Sequence, residues 1–379
     1  PFSPFPTSCA HSLADAGAEM SGQGEDDGAP VRDPLDTPFR QQRMAAMQPI
    51  VTPGWVVGLF MAIGVCFVPL GTWLKLKCAD VVEFTRQYEG RGKATEGCSI
   101  SETNEGKECQ VTFTINRNMK GPVYVYYELR NFFQNHRSYV KSRSYAQLKG
   151  EAPGADSCSP LSRVGDLELN PCGLVANSMF NDRIVVGSAP DPYEPSAPYD
   201  YMDESGISWI TDRDEDFSQP DGFVKAACAP SASCEECLGS ASYSDCGSYT
   251  DRKGVNYKYW YPEEASTQYL YETYPDAISP VDGVKDEHFI VWMRTAALSS
   301  FRNLYGRIEH DLAAPAEITF NVTANFHVAG FGGTKSLVLT TLSPVGSRNG
   351  VLGGAFMAVG GACLAAGLVV LSKFQRQPR

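Results

Sequence analysis

The sequence predicts a two-span membrane protein. Its spans enclose a β-rich, antiparallel sandwich-like domain, stabilised by disulfides and carrying short helices and long loops. Three observations carry that prediction. Two long runs without a charge lie near opposite ends of the chain, at 50–74 and 351–371. Several segments between them alternate apolar and polar residues with the period of two that a half-buried strand requires. Most of the twelve cysteines fall in that same intervening stretch, a usage that fits an oxidising compartment.

Taken in chain order, residues 1–49 are polar and acidic around "GQGEDDGAP" and predict a largely disordered cytoplasmic tail, with Met20 as an alternative start. Arg40 and Arg43, just ahead of the first span, are candidate partner contacts. The run at 50–74 is long enough to cross a bilayer. A buried core helix would also be apolar, but two such runs bracketing a polar chain favour the membrane. The first lies too deep for a cleaved signal peptide. Pro69 is expected to kink it.

Both runs carry small residues four apart: Gly54, Gly58, Ala62 and Cys66 in the first, and Gly350, Gly354, Ala358, Ala362 and Ala366 in the second. Such residues share a helix face and let another helix approach. Two readings stay open. The stripes pack the spans on each other, or they face a larger membrane partner, with Gly354, Ala358 and Ala362 as contacts. Neither run contains an ionisable residue, which argues against a proton relay or ion site. The basic tail 372–379 reads as a stop-transfer anchor, with a specific binding site as the other reading.

Residues 75–350 form the intervening domain. "EITFNVTANFHV" places Ile318, Phe320, Val322, Ala324, Phe326 and Val328 on one face and Asn321, Thr323 and Asn325 on the other. "CQVTFTI", "GPVYVYYEL" and "KSLVLTTL" predict three more strands. "DEHFIVWMRTAALSSFRNLYGRIE" has stretches near a helical period. Cys98 and Cys109 bracket a polar loop, Cys158 and Cys172 another, and each pair is expected to form a disulfide. Cys228, Cys234, Cys237 and Cys246 suit disulfides of unassigned connectivity better than a zinc site in an oxidising compartment. Cys78 is left over at the membrane edge. Asn321-Val322-Thr323 is an N-glycosylation sequon on the polar face of its strand. Lysines and arginines flank both spans on both sides, so charge alone sets no orientation. The cysteines and the sequon put 75–350 in the lumen or outside the cell, and both termini in the cytoplasm.

A net charge of −12 argues against nucleic acid as a partner. The basic, aromatic stretch "NFFQNHRSYVKSR" at 131–143 therefore has two readings. Arg137, Lys141 and Arg143 pair internally with carboxylates, or they help dock a partner or nearby headgroups. His136, Ser178 and Asp182 could be imagined as a catalytic set, but no spacing motif joins them, and structural roles are expected. No catalytic residue, metal site or cofactor is expected, and the chain has no P-loop or aspartyl-phosphate motif.

Several strings occur in one order between the spans: "DTPFRQQRMAAMQPIVTPG", "YYELRNFFQNHRSYVKSR", "PCGLVANSMFND", "GISWITD", "HFIVWMRTAALSSFRNLY" and "FNVTANF". Together, from about Thr37 to Leu371, they resemble the ligand-effect modulator (cell-cycle-control protein fifty) family. That resemblance implies a non-catalytic β-subunit of a type IV P-type ATPase that moves phospholipid, an aminophospholipid or another, from the outer or lumenal leaflet to the cytoplasmic one. It implies a heterodimer with the ATPase α-subunit, contact with membrane lipids, an N-linked glycan at Asn321, and disulfides Cys98–Cys109 and Cys158–Cys172. It implies a role in the pump's exit from the endoplasmic reticulum and in its transport cycle, and a final location in the Golgi, endosome or plasma membrane. Two departures stand out. Relatives often have more cysteines in the first disulfide hairpin and more sequons, and the four-cysteine region at 228–246 looks like an elaborated loop. A two-span ligand-gated channel subunit is the alternative that the topology also allows.

Overall fold

The computed structural model describes residues 37, 39, 52–91, 97–151, 158–189, 201–243, 245–262, 265–346 and 348–376. Arg40, Arg43 and the predicted disordered tail lie outside the described residues, apart from Thr37 and Phe39.

The two apolar runs form helices α1 (Pro53–Ala79) and α7 (Gly350–Arg376), both long and apolar enough to cross a membrane. Most of their large side chains, such as Leu59, Trp73, Val359 and Leu368, stay exposed on the outside of the pair. That distribution suits a lipid solvent, because hydrocarbon tails do not drive apolar side chains inward. The helix continues through Pro69, and the Thr72 hydroxyl donates to the Val68 carbonyl at 2.8 Å.

The segment between the helices holds four small sheets. The largest is antiparallel, in the order β1 (Glu83–Gly90), β13 (Thr334–Thr340), β3 (Val123–Arg130), β11 (Ser300–Ile308). A second places β12 (Ala316–Ala324) between β2 (Lys107–Ile115) and β6 (Arg183–Ser188). Their inner faces share one core, built from Val111, Phe113, Val125, Tyr127, Phe320, Leu337 and their neighbours. This is the packing that two amphipathic sheets demand. A third sheet, β7 (Val224–Ala227), β9 (Asn256–Trp260), β8 (Gly247–Thr250), carries the disulfide-rich lobe. The fourth joins β10 (Thr267–Tyr269), β5 (Leu167–Asn170) and β4 (Arg163–Val164). Its β10–β5 pair is parallel, the one departure from an antiparallel domain among the described strands.

Strand expectations and structure differ in two places. β12 stops at Ala324, because Asn325 turns its side chain to accept from Gly106 N at 2.8 Å and to donate to the Asn181 carbonyl. The helical period of 286–309 holds only over α6 (Glu287–Met293), capped by Asp286. From Ser300 onward the chain pairs with β3 as a strand, and Arg302 reaches across to Glu128 and Glu83. Two short helices, α2 (Arg137–Lys141) and α3 (Tyr145–Leu148), follow β3; α4 (Cys234–Leu238) sits in the lobe and α5 (Leu270–Thr273) follows β10.

Four disulfides tie the loops: Cys98–Cys109, Cys158–Cys172, Cys228–Cys237 and Cys234–Cys246. The last two settle on one of three possible pairings for that cluster. Cys78 is unpaired and buried at the foot of α1.

Candidate partner interface

The helices meet along glycines seven apart. Gly71 packs on Gly353, where a Cβ would lie 2.8 Å from the Gly353 carbonyl oxygen. Gly360 fits against Phe67 and Val68, with a Cβ at 3.0 Å from each, and Gly64 lies against Gly360 and Leu364. Gly367 faces Phe60 and Met61. Phe67 and Phe356 close the seam edge to face at 5.1 Å. A seven-residue repeat keeps one seam facing one partner helix, and glycines let the backbones touch.

The four-spaced stripes are therefore not the seam. Nothing lies within 4 Å of a Cβ built at Gly54, Gly58, Gly350 or Gly354, and Ala62, Ala358 and Ala362 are exposed. The structure leaves Gly354, Ala358 and Ala362 on an outward face of α7. The signal that would have found the true seam was present: Gly64/Gly71 and Gly353/Gly360/Gly367 repeat at seven, beside the more conspicuous spacing of four.

In the domain, Arg137 and Lys141 are exposed on α2 and pair with no carboxylate among the described residues. The internal-network reading fails for those two. It also fails for Arg143, for a different reason: its guanidinium donates to the Val140 and Met293 carbonyls at 3.1 and 3.0 Å and lies over Tyr145. Arg143 is a structural clasp between the 131–145 segment and the end of α6.

That segment lines the far end of the largest sheet. Glu83, four residues beyond α1, pairs with Thr340, and Thr340 with Tyr124, so these strand ends point toward the spans. Arg130 and Thr334 mark the opposite end, roughly 20 Å away at 3.3 Å per residue. Residues 131–136 leave from there and run beside 296–299, held by Phe132 N to Ser299 O, Ala296 N to Gln134 Oε1, and Asn135 Nδ2 to Ala297 O. That distance separates this segment from the span-facing end of the sheet.

The same end gathers exposed apolar groups that sequence reading missed. Phe133, Tyr145, Trp209, Ile210 and Leu298 are 57–71 % exposed, more than any other large apolar side chain described in this domain outside α1. Glu287 fixes the Trp209 turn by accepting from Gly206 N, Ser208 N and the Ser208 hydroxyl at 2.8–2.9 Å. Arg294 lies over the Trp209 ring and forks onto Asp212 at 2.5 and 2.8 Å, and this contact holds the Asp212 carboxyl below its usual value. A partly apolar surface of this kind is a candidate interaction site.

The imagined catalytic set does not assemble. His136 bonds Ser138, and the Ser178 hydroxyl donates to the Leu174 carbonyl. Asp182 is buried: it accepts from Asn325 N, Phe326 N and the Tyr88 hydroxyl at 2.7–2.8 Å and pairs with Lys335 at 2.7 Å. Lys335, on the core face of β13 with Leu337 and Leu339, also meets Glu89 at 2.6 Å and the Phe326 carbonyl at 2.7 Å. This cluster is a structural hub. Asn321 is exposed on the outward face of β12. No group of three or more metal-ligating side chains occurs among the described residues.

Comparison with known proteins agrees with this architecture. The profile of the LEM3 (ligand-effect modulator 3) family / CDC50 family matches residues 74–379. The chain is 35% identical over 357 residues to Cell cycle control protein 50A of Mus musculus, covering 90% of this chain and 89% of the relative. It is 32% identical over 373 residues to ALA-interacting subunit 3 of Arabidopsis thaliana, covering 96% and 93%. It is 29% identical over 378 residues to Phospholipid-transporting ATPase accessory subunit CRF1 of Saccharomyces cerevisiae, covering 92% and 86%. A helix at each end, a disulfide-tied β domain between them and similarity along nearly the whole length converge, and the chain belongs to the LEM3/CDC50 family.

Proposed function

We propose that this protein is the non-catalytic β-subunit of a phospholipid-transporting P-type ATPase. The observation that carries this reading is end-to-end similarity to relatives of which one is named an accessory subunit of such an ATPase. The chemistry then belongs to the partner. This chain contributes binding energy that differs between the partner's conformations, which is the only way a bound subunit shifts a transport cycle. The β domain faces the lumen or the exterior, with both termini in the cytoplasm, and the complex leaves the endoplasmic reticulum as a unit. The outward stripe Gly354, Ala358, Ala362 meets the pump inside the bilayer, and the surface around Arg137, Lys141, Phe133 and Trp209 meets it above.

Charge reversal tests the upper contact. Arg137→Glu with Lys141→Glu touches no ion pair among the described residues, so folding and disulfide formation should match wild type while recovery of the ATPase falls at least about tenfold, the cost of about 1.4 kcal/mol of lost affinity. Unchanged recovery would remove this surface from the interface.

A further inference from the structure

Asn321 sits in the middle of β12, the central strand of its sheet, between Gln110 and Val185 on the outward face. Gly187 stands beside it: a Cβ there would lie 2.6 Å from the Asn321 Oδ1 and 2.8 Å from its Nδ2. A side chain at Gly187 would push the Asn321 amide aside from this position. The amide opens into a hollow of about 490 Å³ whose walls include Glu108, Arg183 and Thr323. Arg183 pairs across the sheet with Thr323, diagonal to Asn321 and so about 7–8 Å from it.

Arg183 also borders a second, larger cleft of about 800 Å³. The two hollows therefore share Arg183 as a wall. The far wall of the larger cleft is the β8–β9 hairpin of the disulfide lobe, where Tyr249 and Tyr257 are directly opposed across the strands. The near wall is the core segment that carries Asp276, Asp282 and Lys285. Two tyrosine rings on one wall and hydroxyl-accepting carboxylates on the other suit a saccharide, which has an apolar ring face and a rim of hydroxyl donors. The walls mix both charge signs, so the cleft selects a neutral occupant over an ion.

We propose that the first sugars of a glycan on Asn321 run past Arg183 into this cleft and brace the disulfide lobe against the core. The proposal rests on the reading above that the β domain faces the glycosylating compartment. On this side the lobe meets the core through the Arg252–Glu204 pair at 2.7 Å and through Lys225 of β7, which reaches the Val281 carbonyl, and the glycan adds to these contacts. The glycan is thereby a structural element placed by the sequon, and the elaborated four-cysteine region is what it supports.

The test uses the full chain expressed with its partner in glycosylating cells. Glycopeptide mapping should find Asn321 occupied. Under native conditions an endoglycosidase should trim that glycan at least about tenfold more slowly than after denaturation, and the double variant Tyr249→Ala with Tyr257→Ala should erase the difference. Thr323→Ala, which deletes the sequon without touching the cleft, should speed amide exchange across 247–260 and leave β13 unchanged. A glycan trimmed equally fast in all forms, with unchanged exchange at 247–260, overturns the seat alone. An unmodified Asn321 also overturns it. If protease protection then finds the β domain cytosolic, the orientation falls with it; if lumenal, only the seat falls.

Discussion

Lys335 is the residue on which the core turns. Alternation along β13 puts it where an apolar side chain belongs, fully buried, and its ammonium is satisfied by Glu89, Asp182 and the Phe326 carbonyl. Removing one partner from a buried ionic cluster leaves the others uncompensated, typically at about 3–5 kcal/mol. Lys335→Met should therefore lower the unfolding midpoint sharply, by calorimetry or denaturant titration, and a wild-type midpoint would contradict the hub. His288 sets the pH response. Burial would lower its pKa, but the hydrogen bond to Glu204 and the charges of Asp286 and Glu204 outweigh it and raise it above 6.5. Burial would raise Glu204, but His288 and Arg252 outweigh it and hold it below 4.5. The His288 contribution is full below about 6.5 and is lost as pH rises through its raised value; the Glu204 contribution is full above about 4.5 and is lost as pH falls through its lowered value. Burial pushes Asp286 up, which adds to the loss as pH rises. The domain should be most stable near pH 4.5–6.5, and His288→Gln should flatten the alkaline side of that profile in thermal melts. None of this was legible in sequence, because a lone Lys, Asp or His reveals its burial only once distant strands meet.

Elements were more legible than contacts. Four strands, both long helices and the cysteine-tied loops were readable, since each depends on local period and composition. The choice between the two readings of the four-spaced stripes was not legible, because small residues four apart form a face whether or not a partner covers it, while the pair that folds together uses the seven-spaced glycines. This gives a direct comparison. Gly71→Leu drives a side chain into the Gly353 carbonyl and Met357 and should destabilise the helix pair by about 1–3 kcal/mol. A Cβ at Gly354 meets nothing within 4 Å among the described residues, so with Gly354→Leu the pair should hold while partner recovery falls. Disulfide cross-linking between cysteines placed along α1 and α7 reads the first effect, and co-purification the second. The opposite pattern would make the four-spaced face the internal one. In the domain, Cys158–Cys172 closes a loop of 14 residues, and its removal should cost about 3 kcal/mol, read as a lower unfolding midpoint of the double serine variant. An unchanged midpoint would show that the loop is already held by its other contacts, such as Ser142 Oγ to the Cys158 carbonyl.

At the scale of the molecule, the proposed function asks two separate surfaces to hold one partner. The outer helix face is apolar and finely stepped. The far end of the β domain is apolar and locally basic on an acidic chain, and it lies about 20 Å from the span-facing end of the sheet. Both surfaces point to one large partner that crosses the same membrane and rises above it. The overall class and the family resemblance were visible in sequence because they depend on patterns that run the length of the chain. The upper surface was half visible: Arg137 and Lys141 stood out, whereas Trp209 and Leu298 join them only through the fold. The most direct test is purification of the full chain from its native membranes in mild detergent, followed by mass spectrometry of everything recovered. A P-type ATPase present in about equimolar amount is the predicted result; recovery of the intact, folded chain with no P-type ATPase would contradict the account.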